Sequence, residues 1–288
     1  MESLPSTIIA WIPPAEGAAF PWVPLGAGFA FSAAVMVVLW ARQLATRNAT
    51  AVDVAWAANL GFLGAGYALF TDTAPIERRW LVGGLAALWS ARLAWHLAAE
   101  RLGDRAEDGR YRTLRERWGA GAGPKFLVFF LAQAALDAFL SLPFALALGD
   151  SAAGVRPWEI AAALLVVVSV AGETLADSQL ARFRLDPAHR GRTCRVGLWR
   201  FSRHPNYFFE WLAWCAFALL ASGAPFGLLA WSAPLAMLGL ILCVTGIPPT
   251  EAQALLSRGD DYRAYQRTTS AFFPWFPSKD PRACGTNR

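Results

Sequence analysis

The sequence predicts an all-α integral membrane protein with about seven transmembrane helices, the N-terminus outside and the C-terminus cytoplasmic. Three observations predict it. Charged residues make up 16% of the chain, where a soluble domain carries about a quarter, and they are clustered. Between the clusters lie apolar stretches of roughly 20 residues, the length a helix needs to cross a bilayer core. Twenty-two of the 26 basic residues fall on one side of the resulting topology, and by the positive-inside rule that side is cytoplasmic.

The seven stretches are 24–42, 53–71, 79–99, 126–148, 157–175, 206–222 and 225–247. The opening "MESLPSTIIAWIPPAEGAAF" lacks a basic n-region, so the first span is expected to act as a retained insertion signal. The basic side holds Arg42 and Arg47, then Arg101 to Lys125, Arg182 to Arg203, and Arg258 to Arg288; the other side holds Arg78, Arg79 and Arg156. The net charge of +5 is therefore mostly topology and implies no nucleic acid. Cys194, Cys215, Cys243 and Cys284 have no paired metal spacing, and three His without an HExxH exclude a recognisable metal motif. With no internal repeat or long linker, residues 1–277 read as one polytopic domain, and 278–288 as a disordered tail.

Two basic-side segments stand out. In Glu100–Lys125, "TLRERWG" reads as a short interfacial helix stopped by a Gly-rich run, and "EDGRY" as a solvated turn. The second segment, 177–210, carries seven Arg against three acids. The tail from Thr250 to Pro277 begins as an amphipathic helix and ends in "SAFFPWFP", an aromatic-proline run that suits the membrane interface.

The 177–210 segment admits two readings. One is a loop that binds lipid headgroups. The other is a site for a nucleotide-sized anionic ligand. Asp177 and Arg184, seven apart, share a face on a continued helix. Pro205 lets a helix start at Asn206, whose free N–H groups and dipole favour phosphate. Glu210 follows one turn deeper, where an idle carboxylate would be costly. Arg203 and His204 sit shallower, at the charged mouth. In the third span Arg92 and His96 lie on one face and imply a wet cavity. Asp53 and Trp56, in "DVAW", open the second span, where Asp53 reads most simply as an N-cap.

These motifs carry a resemblance. "CRVGLWRFSRHPNYFFEWLAW" followed by "GIPPTEAQALLSRGDDYRAYQRTTSAFFPWFP" resembles the C-terminal half of the steroid 5α-reductase-like membrane family, in particular its bacterial branch. "DVAW", "LWSARLAWHL" and "GDRAEDGRYRTLRERWG" extend the match over about residues 50–277. More distantly, the "RHPxY" motif is similar to that of isoprenylcysteine carboxyl methyltransferases. The resemblance implies NADPH as cofactor. The contacting residues it implies are Asp177, Arg184, Arg192, Asn206, Glu210 and Trp214, with Arg92 in the third span and Tyr265 in the tail. His96 stands where the family has Tyr, and Arg203, His204 and Tyr207 of the shared motif complete the cofactor set. The family's substrate-polarising Gln-Glu pair is absent, and its Tyr aligns with Trp89. Asp53, Trp56 and Trp89 are therefore the candidates on the catalytic, substrate side.

The resemblance thus implies a membrane-embedded, NADPH-dependent reductase of an enone-like C=C bond in a lipophilic, steroid- or isoprenoid-like substrate. The bacterial cytoplasmic membrane is the expected location, and membrane lipids are expected partners. A lipid or isoprenyl methyltransferase using S-adenosylmethionine is the alternative. A noncatalytic lipid- or nucleotide-binding membrane protein is the third reading.

Overall fold

A computed structural model describes residues 19–103 and 106–279; the rest of the expected tail, 280–288, lies outside the described residues. The described chain is helical and contains no strand. Its helices are α1 (Trp22–Thr46), α2 (Ala51–Phe70), α3 (Ile76–Arg101), α4 (Gly109–Trp118), α5 (Ala122–Leu140), α6 (Leu142–Ala147), α7 (Pro157–Leu185), α8 (Pro205–Ala221), α9 (Ser232–Gly239) and α10 (Ile247–Thr268). Each of the seven apolar stretches is helical. Four helical segments among the described residues, Trp22–Thr46, Gly109–Ala147, Pro157–Leu185 and Gly227–Thr268, are long and apolar enough to cross a membrane. This is a helical membrane protein. The last of these segments is not one straight rod: its turns are interrupted at Thr245–Gly246 and again at Gly259, and its charged residues begin at Glu251, after the apolar run has ended.

The residues group into two compact units. The first comprises, of the described residues, 19–103, 106–163 and 217–233. Its tightest seam is α2 on α3, built from small residues that let backbones approach. A Cβ on Gly61 would meet the Ser90 Oγ at 2.4 Å, and one on Gly64 the Ala86 Cβ at 2.4 Å. Ser90 Oγ donates across the seam to the Ala57 carbonyl at 2.6 Å. Deeper in the bundle, Asn59 donates to Asp137 (3.0 Å) and the Tyr67 and Ser141 hydroxyls pair at 3.0 Å, satisfying polar groups within apolar helices. The stretch expected as one span at 126–148 breaks at Ser141, because Pro143 cannot donate its N–H to a continuing helix.

Arg78 closes one end of this unit. It is 1% exposed, donates to Glu159 at 2.6 Å, and reaches the carbonyls of Asp150, Ala152 and Gly154 at 2.8, 2.9 and 3.1 Å. A buried guanidinium is tolerable only when its donors are satisfied in this way.

The second unit comprises, of the described residues, 164–216 and 234–279. Here α7 and α8 run antiparallel, and a Cβ on Gly172 would lie 2.4 Å from the Phe209 ring. The connecting loop folds back on α7: Trp199 Nε1 donates to the Ala176 carbonyl (2.8 Å), and Leu198 N to Gln179 Oε1 (2.9 Å). The aromatic-proline run after Thr268 is non-helical, as expected. It laces onto the same loop through Arg203 N to the Ser270 carbonyl, Ser202 Oγ to the Phe272 carbonyl and Trp275 N to the Phe201 carbonyl, all at 2.8 Å. Ser278 belongs to this lacing rather than to a tail, since its N–H reaches the Thr268 carbonyl at 2.9 Å.

Candidate functional site

The α7–α8 seam sets the geometry of the second unit's site. α7 continues without a break to Leu185, so Asp177 and Arg184 do share one helix. α8 starts at Pro205, which leaves Asn206 in the first turn. Asn206 Nδ2 donates to Asp177 Oδ1 at 3.2 Å, while Asn206 Oδ1 is buried with no partner among the described residues. One turn deeper, Glu210 is 8% exposed and accepts from the Trp214 indole at 2.9 Å. The antiparallel register also brings Glu173 to this seam, one turn before Asp177 and 5% exposed. Sequence reading passed over Glu173, although its spacing of four from Asp177 was the available signal.

Above the seam, Arg184 and Arg192 are exposed and have no carboxylate partner among the described residues. Arg192 lines a pocket of about 270 Å³ with Phe183, His189, Thr193, Arg195 and Asp261. Thr193 is 6% exposed, and its hydroxyl is buried without a partner among the described residues. Arg195 is engaged, by Asp261 at 2.9 Å. The Arg192 guanidinium and the Thr193 hydroxyl leave this pocket with donors to spare for phosphate.

The remaining motif residues serve the frame. Glu251 accepts from Arg203 (2.7 Å), His204 (3.2 Å), Tyr262 (3.2 Å) and Gln266 (2.8 Å). Burial disfavours its charge, but the hydrogen bonds from His204, Arg203 and Gln266 outweigh that and lower its pKa to about 2. Burial pushes the His204 imidazole below its usual value, against the hydrogen bond to Glu251. Its ring stacks on Tyr207, whose hydroxyl pairs with Thr250 at 3.1 Å. Tyr265 donates to the Trp199 carbonyl and lies 3.1 Å from that of Ser202, which fixes the loop ahead of α8. Arg203, His204, Tyr207 and Tyr265 thus brace the mouth.

In the first unit, the cap of α2 is Thr50, not Asp53. Asp53, in the first turn, instead pairs with Arg101 and Arg110 (2.7 Å) and accepts from the Tyr111 hydroxyl. The "EDGRY" motif is a clasp rather than a solvated turn. Glu107 accepts from Ala49 N (3.0 Å) and Arg115 (2.7 Å), and Asp108 N donates to Thr50 Oγ1 (2.9 Å) while its carboxylate caps α4. Burial works against the Asp108 charge, yet hydrogen bonds from Arg110 lower its pKa. Trp56 packs on the core of Met36, Val52 and Phe126 with its buried indole N–H unpaired among the described residues. Trp89 is fully buried, edge-on to Phe217 at 6.2 Å. Arg92 and His96 lie one turn apart on α3, with His96 3.5 Å from Glu100. The described residues contain no cluster of metal-ligating side chains.

The family model described as "Protein of unknown function (DUF1295)" matches residues 39–269. The chain belongs to this family. DUF1295 thereby covers both the Asp53 clasp and the Asp177–Glu210 seam. An uncharacterized protein of Schizosaccharomyces pombe is 30% identical over 282 residues, covering 87% of this chain and 80% of the relative, so DUF1295-like architecture extends to a fungus. No solved structure matches.

Proposed function

We propose that this DUF1295 protein is a membrane-embedded reductase that uses NADPH to saturate an enone-like C=C bond in a lipophilic substrate. One observation carries the reading. Asn206 holds Asp177 with its amide N–H and keeps a buried carbonyl oxygen without a partner among the described residues, while Arg184, two turns beyond Asp177 on the same helix, stands exposed. Arg184 and Arg192 answer phosphates, with the Thr193 hydroxyl as a further donor. Asp177 and Asn206 suit ribose hydroxyls or an amide, and Glu210 is held in place by Trp214. Bound NADPH would supply the hydride for the β-carbon, with a proton completing the reduction at the α-carbon. In the topology that accompanies this reading, seven spans place the site at the cytoplasmic face, supported by the bias of the basic residues to that side.

Isothermal titration of the full chain in detergent, with NADPH and S-adenosylmethionine in parallel, tests the reading. NADPH should bind, and Asn206→Ala should weaken it by about 1.5–3 kcal/mol. Binding of S-adenosylmethionine alone would transfer the site to methyl transfer. Binding of neither would leave a noncatalytic lipid-binding protein.

A further inference from the structure

The first unit carries a groove that the reductase reading does not use. It lies where α4 turns into α5, holds about 430 Å³, and is lined by Trp118, Pro124, Lys125, Val128, Phe129 and Ala132. That volume falls in the range of roughly 300–1,000 Å³ typical of small-molecule sites. Five of the six lining residues are apolar, and Val128 is 70% exposed on a helix apolar enough to cross the membrane, so the groove opens toward lipid.

The walls are held by packing and hydrogen bonds. Trp118 stacks edge-on to Phe126 at 5.0 Å, and Phe126 is fully buried. α4 itself is bolted down by Tyr111 to Asp53 and by Arg115 to Glu107 and to Gln43 (3.1 Å). A groove preformed in this way does not lose affinity to ordering its walls.

The charges beside it are sorted. Arg110 and Arg115 are consumed by Asp53, Asp108 and Glu107. Arg112, Arg117 and Lys125 are exposed and have no ion-pair partner among the described residues, against Glu116 as the exposed acid of α4. The Lys125 ammonium lies over Gly121, at the start of α5, while its stem joins the groove wall. A polar rim of surplus positive charge thus tops an apolar slot at the membrane–water boundary, beside an interfacial Trp.

We infer that this groove retains a single anionic phospholipid, one acyl chain between Trp118 and Ala132 and the phosphate at Lys125. Native mass spectrometry of the full chain in detergent tests it, with phosphatidylglycerol and phosphatidylcholine of matched acyl chains. The expected result is one discrete phosphatidylglycerol adduct, several-fold more abundant than the phosphatidylcholine adduct. Lys125→Ala should lower it about fivefold, the worth of one basic residue at an anionic surface. Ala132→Trp, which fills the slot from an exposed position, should remove the adduct of either lipid; Val128→Trp repeats the test should that variant fail to fold. Equal retention of the two lipids overturns the inference, as does a graded series of adducts that neither variant changes, the mark of bulk annular lipid. Displacement of the adduct by inorganic phosphate overturns it too, since that would mark a free-anion site.

Discussion

Each unit holds both paired and open arginines, Arg112 and Arg117 being open in the first, but the first unit's fastened clusters and the second unit's candidate site use arginine in opposite ways. In the first, Arg78, Arg101, Arg110 and Arg115 each meet a carboxylate, and Arg78 is buried to 1% exposure by that pairing. In the second, Arg203 and Arg195 are paired with Glu251 and Asp261, but Arg184 and Arg192 are exposed with no carboxylate partner among the described residues. Residue type does not separate structural from ligand-facing arginines here; the local balance of acids does. Where acids match the guanidiniums the cluster is a fastener, and where guanidiniums are in surplus it is a candidate site.

The contrast is sharpest in what substitution should cost. Arg78→Ala should lose about 3–5 kcal/mol of stability, because Glu159 would be left buried without its partner. Thermal unfolding in detergent reads this, and a melt like the parent's would break the fastener reading. Arg184→Ala should weaken NADPH by about 1.5–3 kcal/mol while apo stability stays within about 0.5 kcal/mol, as for other surface changes. A large apo loss with unchanged affinity would make Arg184 one more fastener. Asp53→Asn should cost about 1–2 kcal/mol, leaving Arg101 and Arg110 with an amide in place of a charge. Unchanged melting with lost turnover would instead return Asp53 to the substrate side.

The smallest effect is pH-dependent. Glu251 has a folded pKa lowered from 4.5 to about 2, so its contribution is complete above 4.5 and is lost as pH falls toward 2. The His204 shift is also downward, so stability from the neutral imidazole begins to fall once pH drops below its ordinary 6.5. Both act in the same direction: acid loosens the braced mouth. Glu251→Gln should flatten the melting-temperature profile between pH 4.5 and 2; an unchanged profile would show that the brace does not depend on that carboxylate.

Hydropathy made the helical membrane class legible, because burial in lipid demands long apolar runs whatever the tertiary arrangement. The start of α8 at Pro205 and the stop of α4 at its glycines were legible too, since each follows from backbone chemistry within a few residues. That Asp177 and Arg184 share one helix was legible from turn spacing, but the pairing of Asp177 with Asn206, 29 positions away, was not. The Asp53 clasp was not, because its partners lie 48 to 58 residues away and arrive only through tertiary packing. The burial of Arg78 was not legible either, since only the folded loop around Gly154 encloses it.

The bracing of the mouth has a consequence for biosynthesis. The loop ahead of α8 is held by Tyr265, by the Ser270 and Phe272 carbonyls and by Trp275 N, and the Ser202–Phe272 link alone spans 70 positions. A ribosome must therefore deliver α8, α9 and α10 before the loop between α7 and α8 can take its final form. The mouth of this unit is the last part of it to be assembled. A chain halted before Tyr265 would present Arg192 on an unlaced loop, distinguishable from the finished protein by the protease sensitivity of residues 186–204.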